Sequence, residues 1–482
     1  NLSFILILVL ISNYSTSQKQ SPKPTFDALK METITYLENR LNQDSQTAKQ
    51  IWNFAEVGYK EYKSSALHIK HLEENGFTIE KGVADIPTAF VASFGSGKPV
   101  IAILAEYDAL PGINQSESTL RQQIEGKSAG HACGHNIFGT ASVSAGIAIK
   151  NLIAQGKLKG TIKVFGCPAE EGGSGKVFLV RAGLFNNVDV AIHWHPGASN
   201  GVTLTSALAN KSAKFRFYGI SAHAAASPEK GRSSLDGVES MDYMTNLMRE
   251  HIPEESRIHY VITNGGKAPN VVPDFAEVYY YVRHPKRAEV VQIFDRIVKA
   301  AEGAAIGTGT RMDYEIIGGT HDLLINYTLA KDMHDNLTLL GGFSLTSQEK
   351  DFANKIKSSF PDTSIDINEV EKIKPFKTEA ESGGGSTDVG DVSYVVPTVG
   401  LRTATWVPGT AAHSWQAIAC NANTIGYKGM LLAEETMALT AIDLFLNPNL
   451  ISEAWIEHKK SIGNYQYKPL LGDRKPALNY RD

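Results

Sequence analysis

Apolar and polar residues alternate at helical spacing over residues 27–75, which predicts two helices joined around Ala55-Glu56-Val57-Gly58-Tyr59. Short apolar runs at 89–94 and 100–105 predict strands, and a run of small residues from His135 to 151 predicts a helix. Further strands are expected at 160–167 and 188–195. Strands alternating with helices indicate the α/β class and a mostly parallel sheet. The pattern changes at about 207. Strands are expected at 211–219, 257–264, 276–284 and 311–317, and helices at 233–251 and 285–305. The order β-α-β-β-α-β is that of a ferredoxin-like unit. Helices and strands like those of the first half resume after about 323. The expected architecture is a discontinuous mixed-sheet catalytic domain, residues 25–206 and 323–465, interrupted by an α+β ferredoxin-like lid or dimerisation domain at 207–322.

The N-terminal pattern differs. Leu2 to Ile11 is an apolar run too short to span a bilayer, followed by Ser15, Ser17 and Gln18. It reads as the core and cleavage site of a secretory signal, residues 1–17, although no basic segment precedes it. A short uncleaved anchor is the alternative. The expectation is export, to the periplasm or medium, with no stable membrane insertion once the signal is removed. A loose Ser/Pro/Lys segment reaches about Thr25.

Composition adds little. The chain has 482 residues, 42% hydrophobic and 20% charged, which suits two or three ordinary globular domains. A net charge of -4 gives no reason to expect nucleic acid. Three cysteines cannot make a disulfide framework, and Cys167 and Cys420 read as buried thiols.

The chemistry lies in three short stretches. Gly130-His131-Ala132-Cys133-Gly134-His135-Asn136 holds two imidazoles and a thiol. Pro168-Ala169-Glu170-Glu171-Gly172-Gly173 and His193-Trp194-His195-Pro196 follow. Thiolate, imidazole and carboxylate are ligands for Zn or Mn. All three stretches fall just after predicted strands, at whose carboxyl ends the ligand sites of open α/β sheets form. Consecutive carboxylates in an extended segment point apart, so Glu170 and Glu171 can divide the roles of base and ligand. His193 and His195 share a strand face, and alternation also allows His131 to share a face with Cys133 and His135. Glu106 and Asp108 end a strand; Asp388 and Asp391 follow the glycine loop 382–386 and can support the site or simply cap that loop.

These stretches, with Ser221-Ala222-His223-Ala224-Ala225, Asn270-Val271-Val272-Pro273 and Ala412-His413-Ser414-Trp415, resemble the amidohydrolase/aminoacylase branch of the co-catalytic metallopeptidases. The segments 106–112 and 386–393 further resemble its subfamily of p-aminobenzoyl-glutamate hydrolase B subunits. The resemblance implies two divalent ions, Mn or Zn, held by Cys133, His135, Glu171, His195 and His413, with His193 as the alternative to His195. It implies Glu170 as general base and His223 as the oxyanion donor, often serving a partner subunit. Asn270 and Arg283 would clamp a substrate carboxylate, though Arg283 can equally be a surface strand residue. Glu106 or Asp108 would orient a ligand histidine. His131 is not a ligand in that branch.

The implied activity is hydrolysis of N-acyl amino acids or dipeptide-like amides, with aroyl-glutamates leading, by a homodimer whose lid can hinge at 204–209 and 318–324. A broad dipeptidase would use the same mechanism. A cysteine hydrolase built on Cys133 would leave the acidic pair without a role. A silent metal-containing binding protein would not need Glu170.

Overall fold

The computed structural model describes residues 27–379 and 381–482; the signal-like segment 1–17 lies outside them. Helix α1 (Ala28–Phe54) begins at Asp27, whose carboxylate accepts the Lys30 N–H at 2.8 Å, and ends where Ala55 turns left-handed at φ 47°. Helix α2 (Tyr62–Glu74) follows, so the two predicted helices form with the break where it was expected.

The main sheet has seven strands. In chain order they are β1 (Thr78–Lys81), β2 (Phe90–Gly95), β3 (Val100–Ala105), β4 (Thr161–Gly166), β5 (Val190–Gly197), β6 (Gly201–Val202) and, after the insertion, β11 (Thr398–Ala404). Their spatial order is β1-β2-β4-β3-β5-β11-β6. Strands β4, β3, β5 and β11 are mutually parallel. The flanks β1, β2 and β6 pair antiparallel, so the sheet is mixed, with its parallel strands at the centre.

Helix α3 (His135–Ala154) crosses one face of the sheet. Its small residues permit that approach: a Cβ on Gly146 would sit 2.4 Å from Val164. By length and composition α3 could cross a membrane, but 78% of its most apolar window is buried within the protein. The opposite face packs on α4 (Gly175–Arg181) and on the chain after residue 465, through Leu471, Leu478 and Tyr480.

The insertion forms its own core. Strands β7 (Ala209–Tyr218), β8 (Arg257–Asn264), β9 (Phe275–His284) and β10 (Arg311–Thr320) pair in the order β8-β9-β7-β10, all antiparallel. Helices α5 (Ser234–Met248) and α6 (Arg287–Thr308) cover one face, which is the ferredoxin-like arrangement. The second crossover back to the main domain is pinned at His321. Its Nδ1 donates to Asp391 at 2.8 Å, and Tyr467 donates to the same carboxylate oxygen at 2.8 Å. Asp391 therefore fastens this crossover to the main domain. Helices α7 (Tyr327–Leu340), α8 (Thr424–Leu446) and α9 (Pro448–Ile462) complete the main domain, with α8 beside α3.

Candidate metal centre and active site

Parallel strands end together, so the loops that leave β3, β4, β5 and β11 converge. The turn before α3 is drawn against β5 by Gly134, whose φ is 83°; a Cβ there would lie 2.8 Å from Pro196. This brings Cys133 to His195, with Sγ 3.4 Å from Nε2. His413 arrives on a left-handed residue, φ 60°, and its N–H donates to the Ala132 carbonyl at 3.0 Å, which docks one ligand loop on the other. Its Nε2 lies 3.4 Å from Glu171 Oε1.

Cys133 belongs to two trios whose donor atoms lie within 4.8 Å of one another: Cys133, His135 and His195, and Cys133, Glu171 and His413. A third trio joins Glu106, His135 and Glu170. His193 enters none of them. It lies one pleat along β5, with its ring in the space left by the missing side chain of Gly400. Burial, with Lys176 and Arg402 nearby, pushes it down to about 3.

Hydrogen bonds fix which nitrogen each ring presents. His195 Nδ1 donates to the Pro196 carbonyl at 2.7 Å, and burial, Arg402 and His135 push its pKa well below the usual range, so Nε2 is a bare acceptor. His135 Nδ1 donates to Asp108 Oδ1 at 2.9 Å, leaving Nε2 facing Glu106 Oε2 at 3.2 Å. The other Asp108 oxygen accepts the Glu171 N–H at 2.9 Å, so one carboxylate orients two candidate ligands.

The site is rich in negative charge. Burial alone would lower His135, yet Cys133, Asp108 and Glu106 outweigh it and hold its pKa well above the ordinary range. The neighbouring Cys133 and Glu171 hold His413 up at about 10. Glu170 is pushed well above the usual carboxylate range by burial and then by Glu106, Glu171 and Asp388. Glu106 Oε2, His135 Nε2 and Glu171 Oε1 are buried without a hydrogen-bond partner. Orphaned donor atoms gathered in an electronegative pocket fit divalent cations, and the sulfur, nitrogen and oxygen donors suit Zn or Mn.

Three supporting groups escaped the reading of the sequence. Lys176 is fully buried, with Nζ 2.6 Å from Glu106 and 2.7 Å from Asp388. Asp388 therefore supports the site. Glu61 accepts the Ala169 N–H at 2.8 Å and the Thr88 hydroxyl at 2.9 Å, and so anchors the loop in which Ala169, φ 57°, turns before Glu170. Tyr480 donates to the Glu171 carbonyl at 3.1 Å, Arg481 reaches the same oxygen, and Asp482 pairs with Lys60 at 2.8 Å. The only sequence signal for any of these was the position of Lys176 just after the Glu170–Glu171 pair and its glycines.

The lid residues stand apart. His223 is exposed, with Nδ1 accepting the N–H groups of Ala225 and Ala226 at 3.2 and 3.1 Å. Its loop pairs with that of Asn270, where the Ala224 N–H donates to the Asn270 carbonyl at 3.0 Å. Arg283 lies on the open face of β9. Among the described residues no hydrogen bond or ion pair ties His223, Asn270 or Arg283 to the trios.

Residues 102–414 match Peptidase family M20/M25/M40. The chain is 39% identical over 465 residues to the B subunit of p-aminobenzoyl-glutamate hydrolase from Escherichia coli K12, covering 90% of this chain and 97% of that one. It is 27% identical to the Xaa-Arg dipeptidase of Mus musculus, over 86% and 88% of the two chains. Among solved structures, a dinuclear metal-binding peptidase of the M20 family from Bacillus subtilis superposes with a TM-score of 0.57 at 18% identity, covering 86% of this chain and 99% of that one.

Proposed function

The chain belongs to peptidase family M20/M25/M40, a family of metal-dependent hydrolases of amide and peptide bonds, and from that premise we propose that it cleaves the amide of N-acyl amino acids, with aroyl-glutamates as the leading substrates. The observation that carries this reading is that Cys133 belongs to two trios of candidate ligands, whose sulfur, nitrogen and oxygen donors would suit divalent cations. Cys133, His135, Glu171, His195 and His413 would hold the pair. Such ions polarise a carbonyl oxygen and lower the pKa of a water.

The chain's own groups supply the rest. Glu170 lies beside the trios but is not needed to complete either one that contains Cys133. Its raised proton affinity suits a group that takes a proton from water and returns it to the leaving amine. Asp108 fixes the His135 tautomer, and Lys176 neutralises Glu106 and Asp388 behind the site. His223 would donate to the oxyanion and Arg283 would hold the substrate carboxylate; Asn270 lies beyond the opposite end of β9, so its share of that clamp would have to come from a partner subunit. Because His223 is exposed on the lid, this assignment needs lid closure or a partner subunit. A homodimer is supported by the exposed apolar Tyr243 and Leu247 on α5 and Val261 on the edge strand β8.

Similarity to the Xaa-Arg dipeptidase favours a second reading, a dipeptidase with the same mechanism. The test is chromatographic release of p-aminobenzoate from p-aminobenzoyl-glutamate, run beside a panel of Xaa-Arg dipeptides. Cleavage of the conjugate alone supports the first reading. Cleavage of the dipeptides alone replaces it with the second.

A further inference from the structure

The open face of the lid sheet carries a cluster of positive charge of which the proposed chemistry uses only Arg283. Arg257 on edge strand β8 pairs in register with Arg283 on β9, and His259 pairs with Tyr281 one pleat further on. Directly opposed side chains in an antiparallel pair have Cβ atoms about 4.5–5.5 Å apart, and like charges so placed repel. The Arg283 guanidinium lies over the Tyr281 ring, 5.5 Å from its centroid, but no anion offsets the repulsion. Among the described residues no carboxylate pairs with either guanidinium. Arg283 Nε is buried without a hydrogen-bond partner. Glu255, which borders the same cavity, is 66% exposed and faces His284 at 3.9 Å.

That cavity, of about 430 Å³, is lined by both guanidiniums and His259 and roofed by Gly383 and Gly384, the glycine loop that precedes Asp388. Arg257 is held in place by its own turn, donating to the Glu254 and Ser256 carbonyls at 2.8 Å each. His259 is pushed below its usual range by burial and then by Arg283, Arg249 and Arg257, so it enters the cavity as a neutral hydrogen-bonding ring. Gly383 also lies against the Ser206 carbonyl at the first lid hinge, so the roof belongs to the seam between the two domains.

We propose that Arg257, with His259, forms a second anion subsite beside Arg283, and that the pair of arginines selects substrates whose amino-acid portion carries two carboxylates. This rests on the amidohydrolase reading above, in which Arg283 holds the first carboxylate. Arg is suited to both contacts because its planar fork meets a carboxylate with two parallel hydrogen bonds. The same pocket repels a cationic side chain, so it separates the activities named for the two relatives: a glutamyl portion fits it and an arginyl portion does not. The cavity is also large enough for a glutamate-sized group.

The test uses the metal-loaded full chain and two independent readouts. The first is the ratio of kcat/KM for p-aminobenzoyl-glutamate over p-aminobenzoyl-glutamine in the wild type, Arg257→Gln and Arg257→Lys. The ratio is expected to fall at least tenfold in Arg257→Gln and to recover partly in Arg257→Lys. The second is calorimetric binding of glutarate and butyrate to the same proteins, where any affinity for the metals is common to wild type and variant. Glutarate is expected to bind at least tenfold tighter than butyrate, and the gap is expected to close in Arg257→Gln. Equal binding of the two acids by the wild type, or a gap and a ratio that survive Arg257→Gln, overturns the subsite. If the binding gap appears but neither conjugate is cleaved, the subsite stands and the hydrolase reading falls. If both conjugates are cleaved without preference, the hydrolase reading stands and the subsite falls.

Discussion

Lys176 Nζ lies 2.6 Å from Glu106 Oε1 although neither side chain reaches solvent. A lysine is almost never fully buried unless paired, and this one also meets Asp388 at 2.7 Å. Lys176→Met would leave two carboxylates confronting each other in the interior. Removing one partner of a buried ionic group costs about 3–5 kcal/mol, and a loss of that size is expected in chemical unfolding. An unfolding midpoint equal to wild type would show that the triad carries no such load.

Glu170 tests the division of labour between the adjacent carboxylates. Glu170→Gln keeps the shape and removes the base. Turnover should fall by roughly 10²–10⁴-fold while metal content stays at the wild-type level. Bound metal is read by elemental analysis, and a variant that loses its metal would make Glu170 a ligand instead.

Much of this was legible in the sequence, for physical reasons. The β3 span was read without error because an apolar run between turn residues has one reading as a buried strand. The strands of the insertion were legible because alternating positions such as those on β9 give a strict in-and-out burial pattern. The mixed sheet was expected, but its antiparallel edge β1, Thr78–Lys81, is mostly exposed, so no pattern marked it as a strand. The candidate ligands stood out because metal chemistry restricts residue types, whereas Lys176, Glu61 and Tyr480 are ordinary residues whose contacts depend on partners distant in the chain. The choice between His193 and His195 could not be made from alternation, because both share a face; the turn at Gly134 that brings Cys133 to His195 separates them.

Asp108 holds His135 and the Glu171 backbone together. Asp108→Asn keeps the volume but loses the charge. Replacing such a supporting carboxylate lowers metal affinity by about 10–100-fold. Competition with a chromophoric chelator measures the change, and an unaltered affinity would contradict the orienting role.

His68 gives a pH prediction away from the metal centre. Its ring is fully buried, neither nitrogen has a partner, and a Cβ on Gly139 would lie 2.6 Å from Nε2. Burial pushes its pKa from 6.5 down to about 3. The unfolded chain therefore binds the proton more readily, so this residue's effect is constant above pH 6.5 and becomes destabilising as pH falls from 6.5 towards 3. One pKa unit is about 1.4 kcal/mol, so the penalty at pH 5 is roughly 2 kcal/mol relative to pH 7. His68→Phe should flatten that part of the stability profile. A profile as steep as wild type between pH 7 and pH 5 would assign the slope to other groups.

On this reading the Cys133-centred trios would hold the metal for amide hydrolysis. The most direct measurement is release of p-aminobenzoate from p-aminobenzoyl-glutamate by the purified chain, before chelation, after it, and after Mn or Zn is restored. The account predicts activity that disappears with the metal and returns with it in the wild type, and does not return in Cys133→Ser. Hydrolysis that persists in the fully chelated, folded protein would contradict it.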